Sequence, residues 1–272
     1  VGAGNTICSV QVYALPNIVT ATTNTLLCSG QTATLTATGA NTYTWNGGVI
    51  NATAFSPTST TGYTVTGTDG NSCQNTATIS VVVNPIPTVS AVSSSSVICF
   101  GKSVTLSGSG ANTYTWTNGV TNNTAFSPTS TATYSVIGTS AAGCVSSNTG
   151  VVSVTVNSLP NVTASTANTV ICFGGTTTVN GGGASTYSWS GGITNASSFS
   201  PASSSVYTVT GSDTNGCQNT ATTSVVVNAL PVLTVASTFT LCVGEQATLT
   251  ASGANTYTWS NSSTGNNIQV SP

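Results

Sequence analysis

The chain has 272 residues and almost no charge, with one Lys or Arg, three acidic residues and no His. General acid–base catalysis needs a titratable side chain beside the substrate, usually His, Glu, Asp or Lys. Zinc sites need Cys and His clusters, calcium sites need several carboxylates, and nucleic-acid binding needs many Lys and Arg side chains. The composition therefore predicts a protein that is not an enzyme, holds no cofactor or metal and binds no nucleic acid.

Hydroxyl groups replace charge, since Ser and Thr make up roughly a third of the chain, far above ordinary usage. A Thr-rich β-sheet surface explains this enrichment, and so does a glycoprotein that carries O-linked sugars. N-x-S/T triplets begin at Asn51, Asn122, Asn161, Asn195 and Asn261, although a chain of this composition produces such triplets by chance. No apolar run approaches the ~20 residues of a membrane span.

In chain order, the alternation of apolar and polar residues predicts β-strands throughout. Residues 1–14 contain an isolated strand, and strands follow at 31–38, 41–45, 61–68 and 76–83. Asn-Gly pairs at 46–47 and 118–119 predict two-residue hairpins. No stretch has helical spacing.

The same motif recurs four times, as ANTYTW or ASTYSW, and its tryptophans are 70 to 73 residues apart. Repeats of this size are small domains rather than solenoid turns. The predicted units are 17–84, 88–157, 161–228 and an incomplete fourth at 232–272. Short strands with frequent turns predict all-β, Ig-like sandwiches, and proline-bearing linkers predict a semi-rigid rod.

The tryptophans of the motif have two interpretations. They alternate with Tyr along a strand as core residues do, which predicts that each anchors the core of its repeat. In the other interpretation, their rings are exposed and form a glycan-binding platform. The four are Trp45, Trp116, Trp189 and Trp259.

The cysteines indicate an oxidising compartment. Cys28 and Cys73, Cys99 and Cys144, and Cys172 and Cys217 are each 45 residues apart, which predicts one disulfide within each repeat unless the thiols are free. Close CxxC pairs for metal binding are absent. Disulfides persist outside the cell or in a periplasm, so we expect an extracellular or cell-surface protein.

The segments VICFGKSVTLSGSGANTYTW (97–116), TATYSVIGTSAAGC (131–144) and VTVNSLP (154–160) resemble the PKD-like and Ig-like tandem repeats of secreted Bacteroidota surface proteins. Gliding-motility adhesins are among these proteins. The resemblance implies export by the type IX route, a β-sandwich repeat and the role of a stalk, adhesin or matrix component. It implies no catalytic residues.

Both ends of the chain carry partial repeats, and two explanations stay open. The sequence is a window of a longer repeat protein, or copies assemble head to tail. In the second case, residues 1–14 of one copy complete the fourth repeat of the next, Val10 and Val12 enter its core, and Cys8 bonds to Cys242.

The function predicted from these features is an extracellular structural protein that forms a stalk or a head-to-tail filament. The alternative is a fragment of a cell-surface adhesin that binds glycan or another surface. The expected partners are copies of the chain itself, with surface glycans as the partner in the alternative.

Overall fold

The computed structural model describes residues 7–235 and 240–271, which form two compact units that meet in sequence between Asn157 and Ser158. Each unit contains two of the repeats defined by the sequence. Among the described residues there is no α-helix, and the regular structure is almost entirely β, as predicted.

Repeat 1 is a sandwich of two sheets. Its strands are β1 (Val19–Thr22), β2 (Leu26–Cys28), β3 (Ala33–Thr38), β4 (Thr42–Trp45), β5 (Ala54–Phe55), β6 (Thr61–Thr68) and β7 (Gln74–Asn84). One sheet has the order β1-β3-β5 and the other β2-β7-β6-β4. The pairing of β2 with β7 is parallel and places Cys28 opposite Asn84, and the other pairs are antiparallel.

Repeat 2 has the same two sheets. Its strands are β8 (Ser90–Ser93), β9 (Val97–Cys99), β10 (Val104–Ser109), β11 (Thr113–Trp116), β12 (Ala125–Phe126), β13 (Ala132–Thr139) and β14 (Gly150–Asn157). The sheets are β8-β10-β12 and β9-β14-β13-β11, again with one parallel pair, β9 with β14.

Unit 2 contains repeat 3 and what the structure describes of repeat 4. Repeat 3 has β15 (Thr163–Thr166), β16 (Val170–Cys172), β17 (Thr177–Gly182), β18 (Thr186–Trp189), β19 (Ser198–Phe199), β20 (Ser205–Ser212) and β21 (Gln218–Asn228). Its sheets are β15-β17-β19 and β16-β21-β20-β18. Repeat 4 has β22 (Thr234–Val235), β23 (Ala247–Ser252) and β24 (Asn267–Val270), joined in one sheet.

The core of repeat 1 lies between its two sheets. Leu35 comes from β3, whereas Val65 and Val81 come from β6 and β7, and all three are fully buried. Alternate residues of β3 point inward, as the period of a strand requires. Repeats 2 and 3 have equivalent clusters around Leu106 and Val179.

The predicted two-residue hairpins after the tryptophans are wrong. Short 3-10 turns occupy these positions, at Asn46–Gly48, Thr117–Gly119 and Ser190–Gly192. The reason is topological: β4 pairs with β6 rather than with β5, the next strand in sequence, so the chain crosses to the other sheet here.

Candidate functional site: the junction between repeats

A short turn follows β2 and fixes a cysteine at the end of repeat 1 where β7 leaves toward repeat 2. The Gln31 N–H donates to the Cys28 carbonyl oxygen (3.0 Å), and Gln31 Oε1 accepts from the Cys28 N–H (2.8 Å). The Ser29 N–H donates to the carbonyl oxygen of Asn84 (2.9 Å). Cys28 is therefore held beside the last residue of the last strand.

The same turn recurs in the other repeats. The N–H three residues after the cysteine donates to the cysteine carbonyl oxygen at Cys99 (3.0 Å), Cys172 (2.8 Å) and Cys242 (3.0 Å). In repeat 4, Glu245 Oε2 accepts from the Cys242 N–H (3.0 Å), as Gln31 does for Cys28. We call Cys28, Cys99, Cys172 and Cys242 the pole cysteines.

A second set of cysteines lies in the turn before the last strand, at the opposite end of that strand. In repeat 1, Asp69 Oδ1 accepts from the Cys73 N–H (2.9 Å), and in repeat 3 Asp213 Oδ1 accepts from the Cys217 N–H (2.8 Å). Ser140 Oγ accepts from the Cys144 N–H (3.1 Å) in repeat 2. We call Cys73, Cys144 and Cys217 the turn cysteines.

The disulfide of unit 1 joins two repeats. Cys28 of repeat 1 bonds to Cys144 of repeat 2, across a sequence separation of 116 and a Cα–Cα distance of 5.6 Å. Cys144 Sγ also lies 4.0 Å from the carbonyl oxygen of Asn84, the residue opposite Cys28 in the parallel register. A pole cysteine is thus bonded to the turn cysteine of the following repeat.

The predicted pairing within each repeat is wrong. Cys28 lies opposite Asn84 at one end of the 11-residue strand β7, whereas Cys73 directly precedes the other end. Eleven residues of strand extend about 36 Å, far beyond the roughly 4.4–6.8 Å between the Cα atoms of a disulfide. Cys73 and Cys172 have free thiols, and Cys99 and Cys217 are each disulfide-bonded.

The motif GANTYTW, which reads GASTYSW in repeat 3, shapes the opposite end of each repeat. Gly39 has φ +97°, and a methyl group on it would overlap the carbonyl oxygen of Asn17, so only glycine lets the linker pass here. The Tyr43 hydroxyl accepts from the Ala40 N–H (2.7 Å) and donates to the Ala40 carbonyl oxygen (2.7 Å). This clamp closes the corner between linker and strand.

Trp45 is 5 % exposed, and its indole N–H donates to Asn51 Oδ1 (3.1 Å). The same oxygen accepts from the Ala37 N–H (2.7 Å). Trp116 and Trp189 are equally buried, and their partners are Asn122 and Asn195.

The sequence analysis missed this role of asparagine. Three of its five N-x-S/T triplets begin at the asparagines that bond to tryptophan, six residues after each indole. The middle residue of each of these three triplets has a positive φ, between 59° and 61°: Ala52, Asn123 and Ala196. The constant spacing from tryptophan was the available signal, and a structural turn explains these triplets without glycosylation.

Trp259 departs from the prediction of a buried core anchor. Its ring is half-buried, and its indole N–H donates to the Gly265 carbonyl oxygen (2.9 Å) instead of to an asparagine. A groove of about 560 Å³ lies beside it, lined by Tyr257, Thr258, Gly265 and neighbouring residues. In repeat 1 the equivalent strand, β4, is paired with β6 in the same sheet.

The segment predicted to fill such a groove is itself exposed. Val10 and Val12 are 83 % and 87 % exposed. The isolated strand predicted within residues 1–14 is not seen in its described part, since residues 7–16 belong to no strand, and residues 1–6 lie outside the described residues. Cys8 and Cys242, the predicted intersubunit pair, are both free and exposed.

Among residues 7–235 and 240–271, no group of three or more His, Cys, Asp or Glu side chains is placed to hold a metal ion. The part of the chain that the structure describes also has no helix long and apolar enough to cross a membrane.

No protein-family model matches the chain, and no curated protein sequence matches it. Among solved structures, it is similar to a Ca²⁺-stabilized adhesin with which an Antarctic bacterium binds ice (18% identity, TM-score 0.37, covering 89% of this chain and 83% of that one). It is also similar to a 1.5-MDa bacterial ice-binding adhesin (16% identity, TM-score 0.34, covering 80% and 99%). A third similar structure is mouse protocadherin-24 EC1–3 (12% identity, TM-score 0.29, covering 83% and 100%).

Proposed function

We propose that the protein is a non-catalytic, extracellular structural protein whose Ig-like repeats are coupled in series by disulfides. The observation that carries this proposal is the Cys28–Cys144 bond, which joins a pole cysteine to the turn cysteine of the next repeat. A bond of this kind stabilises the junction between two domains as well as the domains themselves. It also requires an oxidising compartment, which supports a location outside the cell.

Equivalent turns in the other repeats support a serial arrangement. Each pole cysteine has the hydrogen-bonded turn of Cys28, and each turn cysteine is fixed through its own N–H by a side chain four residues earlier. The free thiols of Cys73, Cys172 and Cys242 are thus held in the same turns as the bonded cysteines. The resemblance to Bacteroidota surface repeats supports a place on the cell surface, and export by the type IX route and glycosylation stay predictions.

The serial coupling extends to copies of the chain in this proposal. The residues Ser9-Val10-Gln11-Val12 correspond to Ser80-Val81-Val82-Val83 at the end of β7, since Ala14-Leu15-Pro16 follows the first as Pro85-Ile86-Pro87 follows the second. Val81 is fully buried, whereas Val10 is exposed. Val10 of one copy would therefore enter the open side of repeat 4 in the next.

Strand addition of this kind supplies main-chain hydrogen bonds for affinity and side-chain pockets for specificity. The contact is head to tail, and a head-to-tail contact that does not close on itself propagates into a filament. The result is a stalk or filament of Ig-like repeats.

A structural role is favoured over the alternative of a glycan-binding adhesin. Glycan binding through the repeated motif would need exposed indole rings, but Trp45, Trp116 and Trp189 are buried and hydrogen-bonded to asparagine. The side chains that recur most regularly are thus used for packing.

The test compares two double variants in a reducing buffer, so that assembly is measured without disulfides. Val10→Asp with Val12→Asp puts two charges on the apolar side of the segment, and the control, Ser9→Asp with Gln11→Asp, puts them on the other side. We expect the unaltered chain and the control to form oligomers in sedimentation velocity and filaments in electron micrographs, and the first variant to stay monomeric. A monomeric unaltered chain, or equal assembly of both variants, would overturn the proposal.

A further inference from the structure

The sequence spacing that leads to the turn cysteine of the Cys28–Cys144 junction occurs a second time near the start of the chain. From Asn84, opposite Cys28, to Cys144 there are 60 residues. The same number separates Tyr13 from Cys73. Tyr13 is the last residue before the linker that leads into repeat 1, and Asn84 is the last residue before the linker that leads into repeat 2.

The register of the observed junction then predicts what lies beside Cys242 in the assembly proposed above. In repeat 1, the pole cysteine lies opposite Asn84. If residues 7–14 of a second copy occupy the β7 position of repeat 4, Tyr13 of that copy lies opposite Cys242. Its linker then leads into its own repeat 1, whose turn cysteine is Cys73.

Cys8 does not fit this register. It is five residues before Tyr13, a distance of about 17 Å along a strand, while the Cα atoms of a disulfide are roughly 4.4–6.8 Å apart. The bond between Cys8 and Cys242 expected from the sequence is therefore incompatible with strand addition in the register of β2 and β7.

Both thiols that the register brings together have the local structure of bonded cysteines. The Cys242 N–H donates to Glu245 Oε2 as the Cys28 N–H donates to Gln31 Oε1. The Cys73 N–H donates to Asp69 Oδ1 at 2.9 Å, as that of the disulfide-bonded Cys217 donates to Asp213 Oδ1 at 2.8 Å. Both cysteines are free in the single chain.

We infer that Cys242 of one copy bonds to Cys73 of the next and makes the filament covalent. This inference rests on the head-to-tail assembly proposed above and identifies the covalent bond that joins neighbouring copies. Each copy supplies one pole cysteine and one turn cysteine, so the bond repeats along the filament without a second kind of subunit.

The bond forms by thiol–disulfide exchange with a small disulfide such as oxidised glutathione. The Cys242 thiolate attacks one sulfur of the small disulfide and releases one thiol. The Cys73 thiolate of the second copy then attacks the Cys242 sulfur and releases the other thiol. Two protein thiols lose two protons and two electrons, and the small disulfide is reduced to two thiols.

The first experiment oxidises the full chain with oxidised glutathione and separates the products on a non-reducing denaturing gel. We expect a ladder of covalent oligomers, with the Cys73–Cys242 peptide found by mass spectrometry. Cys242→Ser or Cys73→Ser alone should remove the whole ladder, since each variant lacks one partner of the bond. Cys172→Ser and Cys8→Ser serve as matched controls, because both thiols are exposed and free but lie outside the inferred bond; both should keep the ladder.

The second experiment mixes the Cys242→Ser and Cys73→Ser proteins. The first supplies only Cys73 and the second only Cys242, so the mixture should form a disulfide dimer of one copy of each and stop there. A ladder that survives either variant alone, or a mixture without this dimer, overturns the inferred bond.

The reducing-buffer assay separates this inference from the proposed function. Oligomers in reducing buffer without the Cys73–Cys242 peptide after oxidation would refute the bond and leave head-to-tail assembly standing. The absence of oligomers in reducing buffer would refute the assembly itself.

Discussion

Repeats 1 and 4 contain the same seven residues, GANTYTW, and differ in what surrounds them. The tyrosine clamp is present in both, since the Tyr257 hydroxyl bonds to the Ala254 N–H (2.8 Å) and carbonyl oxygen (2.6 Å) as Tyr43 does to Ala40. The tryptophan is buried in repeat 1 and half-buried in repeat 4. The motif thus determines its own turn, whereas burial of the indole depends on the strands that cover it.

The largest difference in stability between these repeats should appear when a cysteine of each is replaced. A disulfide that closes a loop of this length contributes about 4–5 kcal/mol in the chain-entropy model. Cys28→Ser should lower the opening free energy of residues 29–143 by that amount, and Cys242→Ser should change nothing in the monomer, because Cys242 is free. Hydrogen exchange measured by mass spectrometry gives both values, and equal effects would contradict the assigned pairing.

Truncation of the tryptophan should give the second-largest difference in stability loss between the two repeats. Trp45→Ala removes a buried ring and should cost ~3–5 kcal/mol, whereas Trp259→Ala should cost less than about 1 kcal/mol because its ring is half-buried. Hydrogen exchange of β6 and β23 reports the two local stabilities. A large loss in repeat 4 would show that its tryptophan is a core anchor after all.

Loss of the asparagine should have a smaller effect that is again confined to repeat 1. Asn51→Ala leaves the Trp45 indole N–H and the Ala37 N–H without their acceptor, which should cost about 2 kcal/mol. The control is Asn261→Ala, since the Asn261 side chain bonds only to the Ser263 N–H on the surface. Urea unfolding followed by tryptophan fluorescence measures both, and N-glycosylated Asn51 in native material would contradict the structural role.

The smallest effect should be equal in the two repeats. Tyr43→Phe and Tyr257→Phe each remove a hydroxyl that bonds to the backbone N–H and the carbonyl oxygen of one alanine, and each should cost about 1 kcal/mol. Local hydrogen exchange at Ala40 and Ala254 is the measurement. A loss in repeat 1 alone would mean that the clamp needs the second sheet.

The strands were predictable because their alternation is local and needs no tertiary information. Thr61–Thr68 was placed correctly from Tyr63 and Val65 alone, which are buried on one face. The strand pairing after Asn46 and Asn118 could not be predicted, because a turn residue shows where the chain turns and not which strands pair with each other. The crossover from β4 to the other sheet is a property of the whole sandwich.

The disulfide pairing could not be derived from the constant spacing of 45 residues. In a tandem repeat, any two equivalent positions keep a constant separation, whether or not they touch. The separation from Cys28 to Cys144 is the same 45 residues plus one repeat of 71, so pairing within a repeat and between repeats fits the sequence equally well. Only the register that places Cys28 opposite Asn84, and Cys73 at the far end of β7, distinguishes them.

The Cys28–Cys144 bond also changes how the protein transmits tension. A pull applied at residues directly before Cys28 and directly after Cys144 passes through the sulfur–sulfur bond, so the loop between them, with a sequence separation of 116, bears no load. That loop includes β3 to β7 of repeat 1 and β8 to β13 of repeat 2, a contour length of roughly 400 Å. Stretching the oxidised protein therefore leaves this length folded, and reducing one bond releases it to extend.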